Sequence, residues 1–174
     1  AYTENEGLTE LNKWYYEMHH LAHNFRLTDF QCALGNSQLK KLNLFVKKRQ
    51  DLANLYISLI SKEITKGVKI PKFSSKIFHA YHLFIILIDF DKIRGGRSKL
   101  MNFLLDNQIQ TQVHYIPIHL QPFYKKLYPA KFNLPNSEIY YNKSLSLPLF
   151  YDMTEDQVVF VINKLKEGLE ILKA

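Results

Sequence analysis

The stretch TQVHYIPIH, residues 111–119, sets two histidines, a tyrosine and a proline on a short β-branched run. Imidazole and phenol groups donate and accept hydrogen bonds, and imidazole also titrates near neutrality or ligates metals. The segment is therefore either an ordinary strand leaving a core or a strand that delivers polar side chains to a ligand. Val113, Ile116 and Ile118 are its expected core-facing residues, because a half-buried strand needs an apolar side. A second polar stretch, HNFRLTDFQCALG at 23–35, places Asn24 and Arg26 just ahead of a helix N-terminus. Unpaired N–H groups and the helix dipole favour an anion there. Asn24 and Arg26 either help hold a phosphate, or Asn24 caps a turn while Arg26 pairs with Asp29.

The remaining candidates carry less. His19, His20 and His23 lie beside Trp14, Tyr15 and Tyr16, and they would share a metal only on a helix. No acid or cysteine follows at a standard ligand interval, so an aromatic interface cluster is the expectation. RGGR at 94–97 lacks the further glycine and the Lys-Ser/Thr of a phosphate-binding loop and reads as a turn. No nucleophile elbow, Ser/His/Asp spacing or paired-carboxylate motif is present.

Positioning these groups requires a sheet and several helices. Residues 28–62 read as one long helix, opened by a capping box of Thr28 and Gln31 with Asp29 in the first turn. Its apolar stripe is Leu42, Phe45, Val46, Leu52, Ala53, Tyr56, Ile57 and Ile60, and Gly35 is the expected bend. Residues 77–90, rich in β-branched and aromatic side chains, are the expected central strand. A turn at Arg94–Arg97, a helix at 100–107, a short strand at 111–115 and a short helix at 123–128 follow. A further helix begins at 136 and is stopped by SLPLF, 146–150. The last helix starts at Thr154, with Gln157 three residues on, and buries Val158, Ile162, Leu165, Leu169 and Leu172. These elements sum to α/β, a small sheet covered by helices.

With 174 residues, 47% hydrophobic and 22% of them charged, the chain is ordinary globular material able to bury a continuous core. Cys32 is its one cysteine, which excludes an internal disulfide framework and suits a reducing cytoplasm. Neither a signal peptide nor a run long and apolar enough for a membrane span is visible. The net charge of +7 invites a polyanion partner, but the lysines are scattered over predicted helix surfaces without a nucleic-acid-binding motif, so neither nucleic acid nor membrane is expected. The start at alanine, without an initiating methionine, suggests a fragment.

HNFRLTDFQCALGNSQLKKLNLFVKKR, then QTQVHYIPIHLQPFY, then YYNKSLSLPLFYDMTEDQVVFVINKL occur in an order that resembles the DegT/DnrJ/EryC1/StrS sugar aminotransferases. The HNFR and QVHY forms look most like members of pseudaminic acid biosynthesis. The resemblance implies the C-terminal small domain of a fold-type I, aspartate aminotransferase-like enzyme. On that pattern 1–27 is a remnant of the large cofactor-binding domain, 28–62 a connecting helix between lobes, and 63–174 the small domain. It also implies pyridoxal 5'-phosphate as cofactor, glutamate as amino donor, a UDP-linked 4-keto-6-deoxy-N-acetylhexosamine aminated at C4, and a homodimer with sites at the subunit boundary. Asn24 matches the family asparagine that crosses the dimer interface to the neighbour's cofactor phosphate and substrate, and Arg26 the arginine beside it. Gln112, Val113, His114 and Tyr115 match the segment that contacts the nucleotide-sugar, whereas His119 is expected only to pack the loop. No lysine here sits in the family's Schiff-base context, so the expectation is that this chain alone is inactive. The alternative is a non-catalytic binding module derived from the same lobe.

Overall fold

The computed structural model describes residues 20, 23, 26–64, 67–74, 76–128 and 132–173. The chain forms two compact units, residues 1–39 and 40–174. In the first, helix α1 (Asp29–Leu39) is opened by the expected capping box: the Thr28 N–H donates to Gln31 Oε1 at 2.9 Å and the Gln31 N–H to Thr28 Oγ1 at 3.3 Å. Trp14, Tyr15, Tyr16, His19 and Asn24 lie outside the described residues.

The second unit is a three-stranded antiparallel sheet covered by helices. Helix α2 (Leu42–Glu63) is followed by β1 (Val68–Lys69), β2 (Phe84–Ile88), α3 (Gly96–Asp106), α4 (Pro122–Leu127), α5 (Pro135–Lys143), β3 (Ser144–Leu147) and α6 (Glu155–Ile171). The strand order is β1-β2-β3, with Phe84 opposite Leu147 and Ile86 opposite Leu145. Leu52, Ala53, Tyr56 and Ile60 are the buried face of α2, and Val158, Val161, Ile162, Leu165 and Gly168 that of α6. These pack with Leu100 and Leu104 of α3 over Phe84, Ile86 and Leu145 in one continuous core. At Gly168 α3 comes so near that an added Cβ would stand 2.7 Å from the Phe103 ring and 2.9 Å from Leu100. The Thr154–Gln157 capping box is formed, as the sequence predicts. No helix among the described residues is long and apolar enough to cross a membrane.

Several expectations are corrected. The helix predicted over 28–62 is two, broken at Lys40–Lys41 rather than bent at Gly35. Core packing holds α2 in register, whereas α1 buries none of its residues and owes its start to the local cap. The central strand is central but short. Tyr81, ahead of it, takes a left-handed backbone (φ 46°) with its N–H donating to His79 Nδ1 at 3.0 Å, so residues 77–83 curl away instead of extending the strand. The predicted strand at 111–115 reduces to one bridge, Gln112 opposite Ser146. Ile116 and Ile118, expected to face the core, are 46% and 67% exposed, because pairing has already ceased before them. Strand β3, buried at all four positions, takes Ser144 and Leu145 from the end of the predicted helix and Ser146 and Leu147 from the segment expected merely to stop it.

The RGGR segment is the predicted turn. Gly95 and Gly96, at φ 83° and 65°, supply the left-handed conformations that lead into α3. Arg97 donates to the carbonyls of Tyr141 (2.5 Å) and Ser144 (3.4 Å), and its guanidinium lies over the Tyr141 and Phe90 rings. Its donors clamp α5 and β3 instead of awaiting a phosphate.

Candidate functional site

The site is best built outward from β3. Ser144 and Ser146 lie among Leu145 and Leu147, and they are 1% and 5% exposed. A hydroxyl buried in a strand destabilises the fold unless it is hydrogen-bonded. Ser144 Oγ donates to the Tyr141 carbonyl at 3.3 Å, whereas Ser146 Oγ meets His114 Nδ1 at 2.8 Å. The backbone of Ser146 also exchanges two bonds with Gln112, at 2.8 and 3.2 Å. One residue of β3 therefore holds both Gln112 and the imidazole two positions on. Gln112 Oε1 in turn accepts the Val113 N–H at 2.9 Å.

These groups open on a cavity of about 470 Å³, lined by His82, Gln108, Gln110, Thr111, Gln112, His114, Ser146 and residues 147–150. Its polar lining is amide, hydroxyl and imidazole, with no Lys, Arg, Asp or Glu among the described residues. Arg49 of α2 braces the wall by donating to the carbonyls of Leu149 (2.9 Å), His82 (3.3 Å) and Tyr81 (3.4 Å). Tyr56 adds a bond from its hydroxyl to the Pro148 carbonyl at 3.0 Å, and its ring stacks on Phe84 at 4.7 Å. Burial pushes the Tyr56 phenol well above its ordinary value. The Thr111 hydroxyl is buried with no hydrogen-bond partner among the described residues.

Tyr115 turns to a second, larger cavity of about 820 Å³, lined chiefly by Tyr115, Tyr124, Tyr128, Phe132, Tyr140 and His119, with Asn136 and Ser137. His119 does more than fill the loop: its side chain is 9% exposed and its Nε2 lies 3.0 Å from Glu138 Oε1. Burial raises the Tyr140 phenol above its usual value. The sequence-predicted segment thus divides, with Gln112 and His114 at the polar cavity and Tyr115 at the aromatic one. Val113 is half-buried, and the cavity linings given above do not include it. Arg26 is exposed and belongs to the first unit. Ser146, Arg49, Thr111 and His82 were missed by sequence reasoning. Only the unexplained serines of SLSL hinted at a buried hydroxyl needing a partner.

A three-stranded antiparallel sheet with this helical cover is the architecture of one lobe of the sugar aminotransferases. Helicobacter pylori PseC, an aminotransferase involved in pseudaminic acid biosynthesis, superposes with a TM-score of 0.79 at 26% identity over 94% of this chain and 43% of its own. The sequence matches the DegT/DnrJ/EryC1/StrS aminotransferase family over residues 2–166, and the chain belongs to that family. It is 35% identical over 174 residues to the UDP-4-amino-4,6-dideoxy-N-acetyl-beta-L-altrosamine transaminase of Campylobacter jejuni, covering 97% of this chain and 44% of that protein. It is also 35% identical over 156 residues to the spore coat polysaccharide biosynthesis protein SpsC of Bacillus subtilis, covering 88% and 40%. The chain thus spans about two fifths of the length of the curated relatives it matches.

Enzymes of this family use pyridoxal phosphate. A site for that cofactor needs an amine to form its imine, an acid for its ring nitrogen and donors for its phosphate. Among the described residues, neither of these two cavities is lined by a lysine, an aspartate or an arginine. These two cavities therefore do not make a cofactor site by themselves, and what they offer is a hydrogen-bonding wall of amides, hydroxyls and imidazoles beside an aromatic one.

Proposed function

We propose that this chain forms the nucleotide-sugar-facing wall of a pyridoxal-phosphate aminotransferase that moves an amino group from glutamate to C4 of a UDP-linked 4-keto-6-deoxy-N-acetylhexosamine. The observation that carries this reading is the pinning of Gln112 and His114 to β3 at the rim of a cavity whose described polar lining is amide, hydroxyl and imidazole. Such a lining suits the hydroxyls, carbonyl and acetamido group of a sugar, and it would serve a diphosphate or the glutamate carboxylates poorly. The similarity to the Campylobacter transaminase supports the same substrate class. Asn24 and Arg26 are proposed to serve the cofactor phosphate, and Asn24 also the substrate, across a homodimer boundary. Gln112, Val113, His114 and Tyr115 contact the nucleotide-sugar. Residues 1–27, 28–62 and 63–174 correspond to the end of the cofactor-binding domain, the connecting segment and the small domain, in a cytoplasmic enzyme.

In this reading the work of the chain is binding, orientation and exclusion of water, while the cofactor supplies the electron sink when bound. The isolated chain is proposed to perform no amination, since no lysine of its sequence sits in the family's Schiff-base context. The test joins this chain to the preceding portion of the Campylobacter relative. The folded chimera is expected to develop a cofactor absorbance band and to aminate the UDP-keto-sugar at glutamate's expense. A folded chimera that binds cofactor and aminates another substrate, but not this sugar, would sink the proposed specificity. One that binds no cofactor would sink the reading altogether.

A further inference from the structure

We propose that Ser146 is a positioning residue that sets the tautomer of His114, so that the imidazole presents an Nε2–H donor to the polar cavity. This inference rests on the reading of the cavity as the sugar-facing wall. Its structural part stands independently of that reading.

Position 146 lies in a strand with every residue buried, and its neighbours in sequence are leucines of the core. An alanine would pack there at no polar cost, so a serine needs an acceptor for its O–H proton. Its backbone N–H and C=O are already used on Gln112. The partner recorded for the hydroxyl is His114 Nδ1, at 2.8 Å. In the neutral ring one nitrogen carries hydrogen and the other a lone pair. If Ser146 donates, Nδ1 is the lone-pair nitrogen and Nε2 carries the hydrogen. If Nδ1–H donated instead, the serine proton would be left buried without a recorded acceptor, which disfavours that arrangement.

The mechanical side agrees with the chemical one. The same residue grips Gln112 through its backbone, so the segment is held at Gln112 and at the His114 ring. The Tyr115 ring then packs edge-on against the imidazole, 4.6 Å between centres. With Nδ1 engaged, Nε2 is the nitrogen left to meet a ligand. A fixed N–H there selects an acceptor oxygen on the sugar, namely its keto, ether or acetamido carbonyl oxygen. This is the familiar device of a buried hydrogen bond at one ring nitrogen deciding what the other can do.

The direct test is nitrogen NMR of the full chain labelled with ¹⁵N-histidine, with the His114 signals assigned by their loss in His114→Gln. The unaltered chain is expected to show a single Nε2–H tautomer for His114. Ser146→Ala should convert it to an exchanging mixture, while Ser146→Thr retains the fixed form. Ser144→Ala removes the other buried hydroxyl of β3 and should leave the His114 signals unchanged, which separates loss of this contact from loosening of the strand. An Nδ1–H tautomer in the unaltered chain, or a tautomer unaffected by Ser146→Ala, would overturn the inference. In the joined enzyme, Ser146→Ala should raise KM for the nucleotide-sugar about fivefold with kcat within about twofold, in keeping with the loss of one oriented hydrogen bond. If His114→Ala leaves that KM unchanged, the sugar-wall reading fails even though the NMR result holds. If His114→Ala raises it and Ser146→Ala does not, the positioning role fails and the reading survives.

Discussion

On one side of residues 112–115, Gln112 and His114 are tied to a strand buried along its whole length. On the other, Tyr115 and His119 face α4 and α5, two short helices that bury none of their residues. The polar cavity inherits the rigidity of the core through Ser146, Arg49 and Tyr56. The aromatic cavity is surrounded by half-exposed rings such as Tyr124 and Tyr128, 40% and 53% exposed. A group that must meet one oxygen in one geometry belongs on the first kind of support, whereas stacking on a flat ring tolerates the second.

The comparison breaks most sharply at the core beneath the polar side. Leu145 is fully buried between Ser144 and Ser146, and Leu145→Ala should cost about 3 kcal/mol in urea unfolding by the transfer-plus-cavity rule. It should also release Ser146 from His114. A loss under about 1 kcal/mol would mean that β3 is not the support described. Next is Arg49, whose Nη1 alone lies within hydrogen-bonding distance of three carbonyls in two loops. Arg49→Met keeps the apolar stem and removes that donor, so it should cost about 1–2 kcal/mol and loosen the wall at His82 and Leu149. Hydrogen exchange at the amides of residues 81–83, 149 and 150 would register it. Unaltered exchange would show the clamp to be incidental.

What the sequence made legible follows the range of the forces involved. Both capping boxes could be read because Thr28 with Gln31, and Thr154 with Gln157, act across three residues. The stripe of α6 was equally plain. By contrast, the break at Lys40–Lys41 leaves no local composition signal, and the early end of β2 depends on the left-handed turn at Tyr81. The strand character of SLSL was hidden by serines that resemble turn residues until their partners, Tyr141 and the distant His114, are known. For the site, residue physics alone left Gln112 to Tyr115 as one strand with two possible uses, and the family resemblance pointed to sugar contact. It could not tell that the segment splits between two cavities, because that split depends on a contact with a residue 32 positions away.

A gentler probe of the rigid side uses alkali. Burial raises the Tyr56 phenol above its ordinary value, so the neutral form is favoured in the folded state. Its contribution to stability is complete below about pH 10 and declines as pH rises toward the folded value. Tyr56→Phe should cost about 1 kcal/mol at pH 7, through the lost bond to Pro148, and should flatten the decline above pH 10 relative to the unaltered chain. Parallel declines would show that the phenol is not held neutral by the core.

The smallest effect is expected on the aromatic side. Glu138 is 44% exposed, so Glu138→Gln should change stability by less than about 1 kcal/mol despite the 3.0 Å approach to His119. A larger loss would mean that the two sides are equally rigid and would erase the contrast between them.

The claim at the centre of this account is that the imidazole at the polar cavity touches the nucleotide-sugar. The most direct measurement is the nucleotide-sugar KM of the joined enzyme carrying His114→Ala, compared with the same enzyme unaltered. A rise of about tenfold or more is expected from the loss of a donor held at a substrate oxygen. A KM within twofold of the unaltered enzyme would contradict it.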